Sequence, residues 1–406
     1  MIQLPLRGTS RAPTRSDPTR PRILHLINSL GAGGAERSLS ELLPIYAAAG
    51  IDSVITCLKT SHEGFQGLVE AGSFDLRFVG ARSLPRAVLE LRDWIRAEPV
   101  DLIHTTLFES DIAGRLAAVN SGIPVLTSLV NTSYAPSRRL DPNVRRGRLW
   151  VTRLADALTA RYLTSHFHAI TQAVKDSAVH SLYIPPQRIT VVERGRDPAR
   201  LGERTPERTR RARRNLGLAG DDEVIVAVGR QEFQKGHRYL LQAMARLVPL
   251  RPRLRLLVAG RAGHATDELH RLHRELSLAD HVRFLGHRDD VPEILAAADL
   301  FVFPSIYEGL GGALIEAMGL GLPVVATRIP STREVVEERV NALLVAPGAS
   351  NDLAEAILAL LNDPERSQAF GRHSARIFAE RFTLERSARR MIDLYETIIA
   401  RRSSRR

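Results

Sequence analysis

Short β-branched runs alternate with amphipathic stretches along almost the whole chain, and this alternation limits the fold more than any other feature. Arg22–Asn28 reads as a strand, followed by a glycine turn and a helix from about Ala35 to Gly50. Ile51–Leu58 and Phe74–Val79 read as strands, Leu84–Ala97 as a helix, Val100–Thr105 as a strand, Ser110–Asn120 as a helix and Ile123–Leu129 as a strand. A long basic helix leads to the short strands Phe167–Ile170 and Arg188–Val192. The pattern breaks at Arg194–Arg214, which carries nine arginines and several turn formers. It restarts with strands at Glu223–Val228, Leu254–Ala259, His281–Leu285, Asp299–Phe303, Pro323–Thr327 and Ala342–Val345, and ends in one long helix, Leu384–Arg402. Strands apolar along their whole length are covered on both faces, and alternating strands and helices make parallel sheets. The chain has 406 residues, about twice the usual domain size. The expected organisation is α/β: a disordered basic tail at 1–21, a domain at 22–200, a linker at 201–216, a second domain at 217–383, and a crossover helix with a second basic tail at 384–406. Ligands of doubly wound sheets gather at the carboxyl ends of the strands, so the turns Gly31–Gly34 and Glu308–Gly312 are both placed to face a cleft between two such domains.

Composition removes several classes of function. No apolar run approaches the ~20 residues of a membrane span, and no secretory core follows the start. Cys57 is the single cysteine and lies in an apolar strand pattern, which predicts a buried, inert thiol and a cytoplasmic setting. The formal charge of +12 invites an anionic partner. Yet only three of the 57 basic residues are lysine, a skew that genome composition alone can produce. Basic residues are not interleaved with aromatics in the manner of single-strand binders, so no nucleic-acid partner is expected. The same skew singles out Lys235.

Three constellations carry chemistry. The first, Gly31-Ala32-Gly33-Gly34-Ala35-Glu36, opens like a dinucleotide fingerprint, but Glu36 takes the third glycine's place. Gly33 and Gly34 remain a turn whose amides can approach a phosphate, with a plain turn as the equal alternative. In the second, Gly229-Arg230-Gln231-Glu232-Phe233-Gln234-Lys235-Gly236, an apolar strand ends in a turn carrying two cations five positions apart. A planar fork and a compact ammonium can converge there on a diphosphate. The third runs from Glu308 through Gly309, Leu310, Gly311 and Gly312 to Glu316. A helix that starts at a glycine turn offers unpaired amides and a positive dipole end to an anion, and Glu316 within it can accept from sugar hydroxyls. No Asp-x-Asp occurs, and His270 and His273 are flanked by Arg271 and Arg274, which repel a cation, so no metal site is expected.

These residues resemble the retaining glycosyltransferases of family 4, group 1, with the GT-B fold. The E-x7-E motif matches Glu308 and Glu316; G-R-x4-K-G matches Gly229, Arg230, Lys235 and Gly236; G-G-x-E/Q matches Gly33, Gly34 and Glu36; V-x-F-L-G matches Val282 to Gly286. Arg188-Ile189-Thr190-Val191-Val192 is similar to a further family stretch, where the usual Asn-Gly is here Arg194-Gly195. The resemblance implies two Rossmann-like domains across a cleft, an acceptor-binding N-terminal one and a nucleotide-sugar-binding C-terminal one. It implies that a hexosyl unit passes from the donor to a glycan, lipid or other hydroxyl acceptor with retention, with the nucleotide sugar as substrate and no cofactor or metal. By this likeness Arg230, Lys235 and Glu308 are catalytic, Glu316 holds the ribose, Arg283 and Leu285 flank the base, and the amides of Leu310, Gly311 and Gly312 hold the sugar and its phosphate. Val130 and Thr106 stand where many relatives carry histidines, which keeps a non-catalytic donor-binding subunit as an alternative. An epimerase on the same fold trails, for want of a histidine and acids suited to elimination.

Pro136–Ser165 holds seven arginines against two aspartates, with Leu149, Trp150, Val151, Leu154, Leu158 and Leu163 at helical spacing. Two readings compete: a domain helix with a solvated arginine face, slightly preferred, and a peripheral membrane surface at the inner face.

Overall fold

The computed structural model describes residues 20–403 apart from 32, 62, 63, 73 and 82, so the expected N-terminal tail lies almost entirely, and the C-terminal one from residue 404 on, outside the described residues. Seven strands, β1 (Arg22–Ile27), β2 (Asp52–Cys57), β3 (Asp75–Phe78), β4 (Leu102–Thr106), β5 (Val125–Leu129), β6 (His166–Ala169) and β7 (Ile189–Val191), form a sheet in the order β3-β2-β1-β4-β5-β6-β7. Helices α1 (Gly34–Ala48), α2 (Gln66–Ala71), α3 (Leu84–Ala97), α4 (Phe108–Ala117), α5 (Arg146–Leu163) and α6 (Gln172–Leu182) connect them. After α7 (Pro198–Leu201) and α8 (Pro206–Asn215) comes a second sheet. It consists of β8 (Glu223–Val228), β9 (Leu254–Ala259), β10 (Val282–Gly286), β11 (Leu300–Phe303), β12 (Val324–Thr327) and β13 (Ala342–Val345), ordered β10-β9-β8-β11-β12-β13 and parallel throughout. Its connections are α9 (His237–Leu247), α10 (Thr266–Glu275), α11 (Val291–Ala296), α12 (Gly312–Gly319) and α13 (Pro330–Val335). Helices α14 (Ser350–Leu361), α15 (Pro364–Arg381) and α16 (Leu384–Ser403) close the chain. The α/β reading therefore holds. Among the described residues no helix is long and apolar enough to cross a membrane.

Two compact units divide the chain. Of the described residues, the first holds those within 1–127, 163–165 and 395–406; the second holds those within 128–162 and 166–394. In the first, Leu24, Leu26, Leu91 and Ile103 bury one face of the strands, and Ile27, Leu43, Ile55 and Cys57 bury another. Burial raises the Cys57 thiol to about 12, with the Glu36 charge adding to it, so the thiol stays protonated. Tyr395 hydrogen-bonds His104 Nδ1 at 2.8 Å within a ring cluster that includes His25 and Tyr46. In the second, one continuous core gathers Phe167 and Ile170 with Phe301, Phe303, Leu310 and Leu314.

The segment expected as a linker is instead helical and packed. Arg213 of α8 donates from Nε to the Ala297 carbonyl at 3.1 Å and from Nη2 to Asp299 at 2.7 Å, and Arg204 donates to the Ala296 carbonyl. These arginines satisfy carbonyls that the end of α11 leaves open. They are structural partners of the second sheet, which is why the segment lacks apolar periodicity yet is ordered.

Candidate active site

The order of the second sheet reverses between β8 and β11, and the carboxyl ends of strands at such a point open onto a crevice. Two loops meet there. In the loop after β8, Phe233–Lys235 forms a single tight turn ended by Gly236 at φ +66°. Only glycine fits, because a Cβ at 236 would stand 1.9 Å from the Pro304 carbonyl oxygen. The Ile306 amide donates to the Gln234 carbonyl at 2.8 Å and locks this loop to the one after β11. His237 is buried, which lowers its pKa to about 4; the neutral ring donates from Nε2 to the Gly229 carbonyl at 3.2 Å.

Lys235 lies between the loops. Its ammonium is ion-paired with Glu308 and stands 5.7 Å from the Phe303 ring centroid, a cation held over an aromatic face. Glu308 takes one of its three N–H donors, and among the described residues nothing takes the others. Arg230, at the mouth of the β8 loop, is exposed, and no described residue bonds its side chain.

The β11 loop then enters α12 through Gly311, whose φ of +87° and contact with the Phe303 ring leave no room for a side chain. The amides of Leu314 and Ile315 bond the Gly311 carbonyl, but no described group accepts from those of Leu310, Gly311 or Gly312. A helix end with open donors and a positive dipole attracts an anion. Gly309 is clamped from the other side: the Thr171 hydroxyl donates to its carbonyl at 2.9 Å, and a Cβ there would lie 2.2 Å from the Val130 carbonyl oxygen. Val130 thus meets this loop with its backbone. Tyr307 donates to Asp141 at 3.2 Å, and its burial raises the phenol's pKa.

Glu316, one turn into α12, is 3% exposed and paired with the equally buried Arg196, Nε to Oε1 at 2.7 Å. Arg196 Nη1 also donates to the Gly195 carbonyl at 3.0 Å, while Nη2 lies 2.1 Å from where a Gly312 Cβ would be. The Nη2 end of its guanidinium therefore abuts the first turn of α12. Sequence reasoning passed Arg196 over. The signal was the unusual Arg194-Gly195-Arg196 run in place of the family's Asn-Gly, which put a second charge beside the glycine.

Lys235, Glu308, Leu310, Gly311, Gly312 and Glu316 thus share one pair of loops and one helix, with Arg230 on the first of those loops. Arg283 is directed elsewhere, donating to the Leu216 carbonyl just beyond α8 at 2.5 Å. Leu285 falls outside the β10–β9 ladder, since Phe284 pairs with Val258 and Gly286 with Ala259; such a bulge re-aims a side chain. Gly33 and Gly34 belong to the first unit, where the Glu36 carboxylate folds back to within 2.2 Å of a Cβ position on Gly33. The open end of that turn meets the chain's own negative charge. His270 packs tilted and His273 edge-on against Phe284, and among the described residues no three His, Cys, Asp or Glu side chains converge as for a metal ion.

Two parallel, doubly wound sheets with an open helix tip at the second switch point define the GT-B architecture. Anabaena HepE, solved with UDP and glucose, superposes with a TM-score of 0.82 at 23% identity, over 93% of this chain and 100% of that one. The chain belongs to the group 1, family 4 glycosyltransferases: residues 208–376 match "Glycosyl transferases group 1" and residues 32–200 match "Glycosyltransferase Family 4". It is 34% identical over 313 residues to the D-inositol 3-phosphate glycosyltransferase of Corynebacterium kroppenstedtii, covering 73% of this chain and 67% of that protein. It is 25% identical over 280 residues to the Escherichia coli UDP-Gal:α-D-GlcNAc-diphosphoundecaprenol α-1,3-galactosyltransferase, covering 68% and 70%.

Proposed function

We propose that this protein moves a hexosyl unit from a nucleotide sugar to a hydroxyl acceptor on a glycan or lipid, with retention and without a metal ion. The observation that carries the proposal is the meeting of Lys235 and Glu308 with the open first turn of α12 at the switch point. Breaking an anomeric C–O bond builds positive charge on the sugar and negative charge on the departing diphosphate. Lys235 and Arg230 neutralise the diphosphate, the amides of Leu310, Gly311 and Gly312 donate to it, and Glu308 orients both Lys235 and the sugar hydroxyls. The departing phosphate oxygen takes the acceptor's proton, so no separate base is needed. Glu316 faces the ribose with Arg196 at its back, and Leu285 lies beside the base, while Arg283, turned to the Leu216 carbonyl, takes no part. The cytoplasmic setting expected from the lone cysteine stays part of the proposal.

The test is turnover of a panel of nucleotide sugars with mixed acceptors, headed by UDP-sugars because both HepE and the E. coli relative involve UDP. Transfer that survives a chelator and gives a product of the donor's anomeric configuration supports the reading; inversion, or a metal requirement, sinks that part of it. A nucleoside diphosphate at a hundred times its dissociation constant should add about 2.7 kcal/mol of stability. Binding without any turnover would return the protein to the class of donor-binding subunits. Lys235→Ala should lower kcat by about two to three orders of magnitude, the usual cost of removing one fixed donor to a developing anion.

A further inference from the structure

Helix α5 is mounted with its apolar face outward. Its buried residues are Asp156, which accepts from the Tyr134 hydroxyl at 3.0 Å, and Ala160. Trp150, Val151, Leu154, Leu158 and Tyr162 are 65%, 60%, 46%, 52% and 72% exposed. At 100° per residue they share one side of the helix, a stripe about 18 Å long. Such a patch on a folded chain marks a surface that something covers. The apolar stripe itself is thus on the outside, with Arg146 and Arg148 to either side of it and Arg161 near its C-terminal end.

We propose that this face docks onto the surface of an anionic lipid bilayer. The chemistry of the border selects that occupant. Arg146, Arg148 and Arg161 are exposed around the stripe, and the only acid of α5 is the buried Asp156. A tryptophan and a tyrosine among leucines, edged by arginines, match the interfacial zone of a bilayer, where aromatic rings sit at headgroup level and guanidiniums meet lipid phosphates. A second copy seated face to face would instead bring arginines against arginines. The stripe lies in the plane of the surface. The face is also joined to the candidate site: the short 3-10 turn Pro136–Leu140 leads to Asp141, which accepts from Tyr307, the neighbour of Glu308. A docked α5 thus fixes the catalytic loop close to where a membrane-borne acceptor would be. The docking itself stands on α5 alone and does not depend on the proposed transfer reaction.

The experiment is flotation of the full-length protein with vesicles of phosphatidylcholine, with and without phosphatidylglycerol. The wild type should float with the anionic vesicles about tenfold better than with neutral ones, less so in high salt. Leu154→Ser/Leu158→Ser keeps every arginine and both tails and should lose about tenfold of that binding, since these exposed side chains carry the apolar contact. An unchanged thermal transition shows that this variant is folded. Absence of flotation overturns the proposal. So does flotation that the serine variant leaves intact, which would assign it to charge on the tails alone. A wild-type dimer dispersed by the serine variant, without lipid binding, would give the face to a second copy instead.

Discussion

At the scale of single residues, the pair Arg196–Glu316 decides how the donor site is held. Both side chains are about 95% buried. Two charges taken from water lose several kcal/mol of hydration each, and only a close, well-hydrogen-bonded partner offsets that loss. Removing one partner is then far worse than removing both. Arg196→Met should cost about 3 kcal/mol in a urea titration, and adding Glu316→Gln should restore part of it. If the double variant is as unstable as the sum of the singles, the two are not coupled. Arg196→Lys keeps a charge but not the fork lying along Gly312, so it should weaken nucleoside diphosphate binding while keeping most of the stability. Gly309 makes a second, purely steric test. Its Cβ position lies 2.2 Å from a backbone oxygen that cannot rotate away, so Gly309→Ala must displace the loop that carries Glu308. We expect kcat to fall at least about tenfold, as for other small misplacements at a reacting centre. Wild-type turnover would show that the loop yields harmlessly.

Elements follow the same logic with more partners. Helix α8 is held less by a greasy face than by its arginines: Arg213 alone reaches the carbonyls of Gly220, Asp222 and Ala297 and the Asp299 carboxylate. Arg213→Met removes all four at once. It should cost about 2–3 kcal/mol, because three of the four acceptors left behind lie in half-buried contacts; a loss below about 0.5 kcal/mol would class these contacts with ordinary surface ion pairs. This helix also shows where reading the sequence stops. Apolar period found Leu84–Ala97, Glu223–Val228, Leu254–Ala259 and Ala342–Val345 to the residue. An element stabilised through side-chain bonds to another element's carbonyls has no such period, so Arg194–Arg214 read as a break. The candidate site was legible for a related reason. Glycines at 236, 309, 311 and 312 mark places where another group lies too close for a side chain, and the one at 236 seats the β8 loop against the Pro304 carbonyl of the β11 loop. Arg196 was not legible, because its role depends on a helix over a hundred positions away. Nor was the outward face of α5, whose spacing is the same whichever side is buried.

For the whole molecule, three buried histidines set the response to acid. His25 in the first unit is held down to about 3, and His168 and His237 in the second to about 4, each chiefly by burial of the ring. His168 donates from Nε2 to the Val192 carbonyl at 2.8 Å and accepts from Ser128 at Nδ1, a pairing that only the neutral ring can make. All three titrate near 6.5 once the chain unfolds. Between about pH 6.5 and 4 the unfolded chain therefore binds up to three more protons than the folded one, and stability falls as pH falls through that window. Each proton is worth about 1.4 kcal/mol per pH unit, so three give about 4 kcal/mol per unit near pH 5, a slope that fades to nothing by about pH 8. Glu334, whose pKa burial raises, opposes the trend with at most one proton. Urea unfolding at a series of pH values measures the slope. His25→Phe keeps a ring stacked on Tyr46 and removes a Nε2 that has no partner among the described residues, so it should fold and should flatten the slope by about a third. A His25→Phe protein as acid-sensitive as the wild type would mean that this ring takes up its proton inside the folded protein, and that acid unfolding is driven from elsewhere.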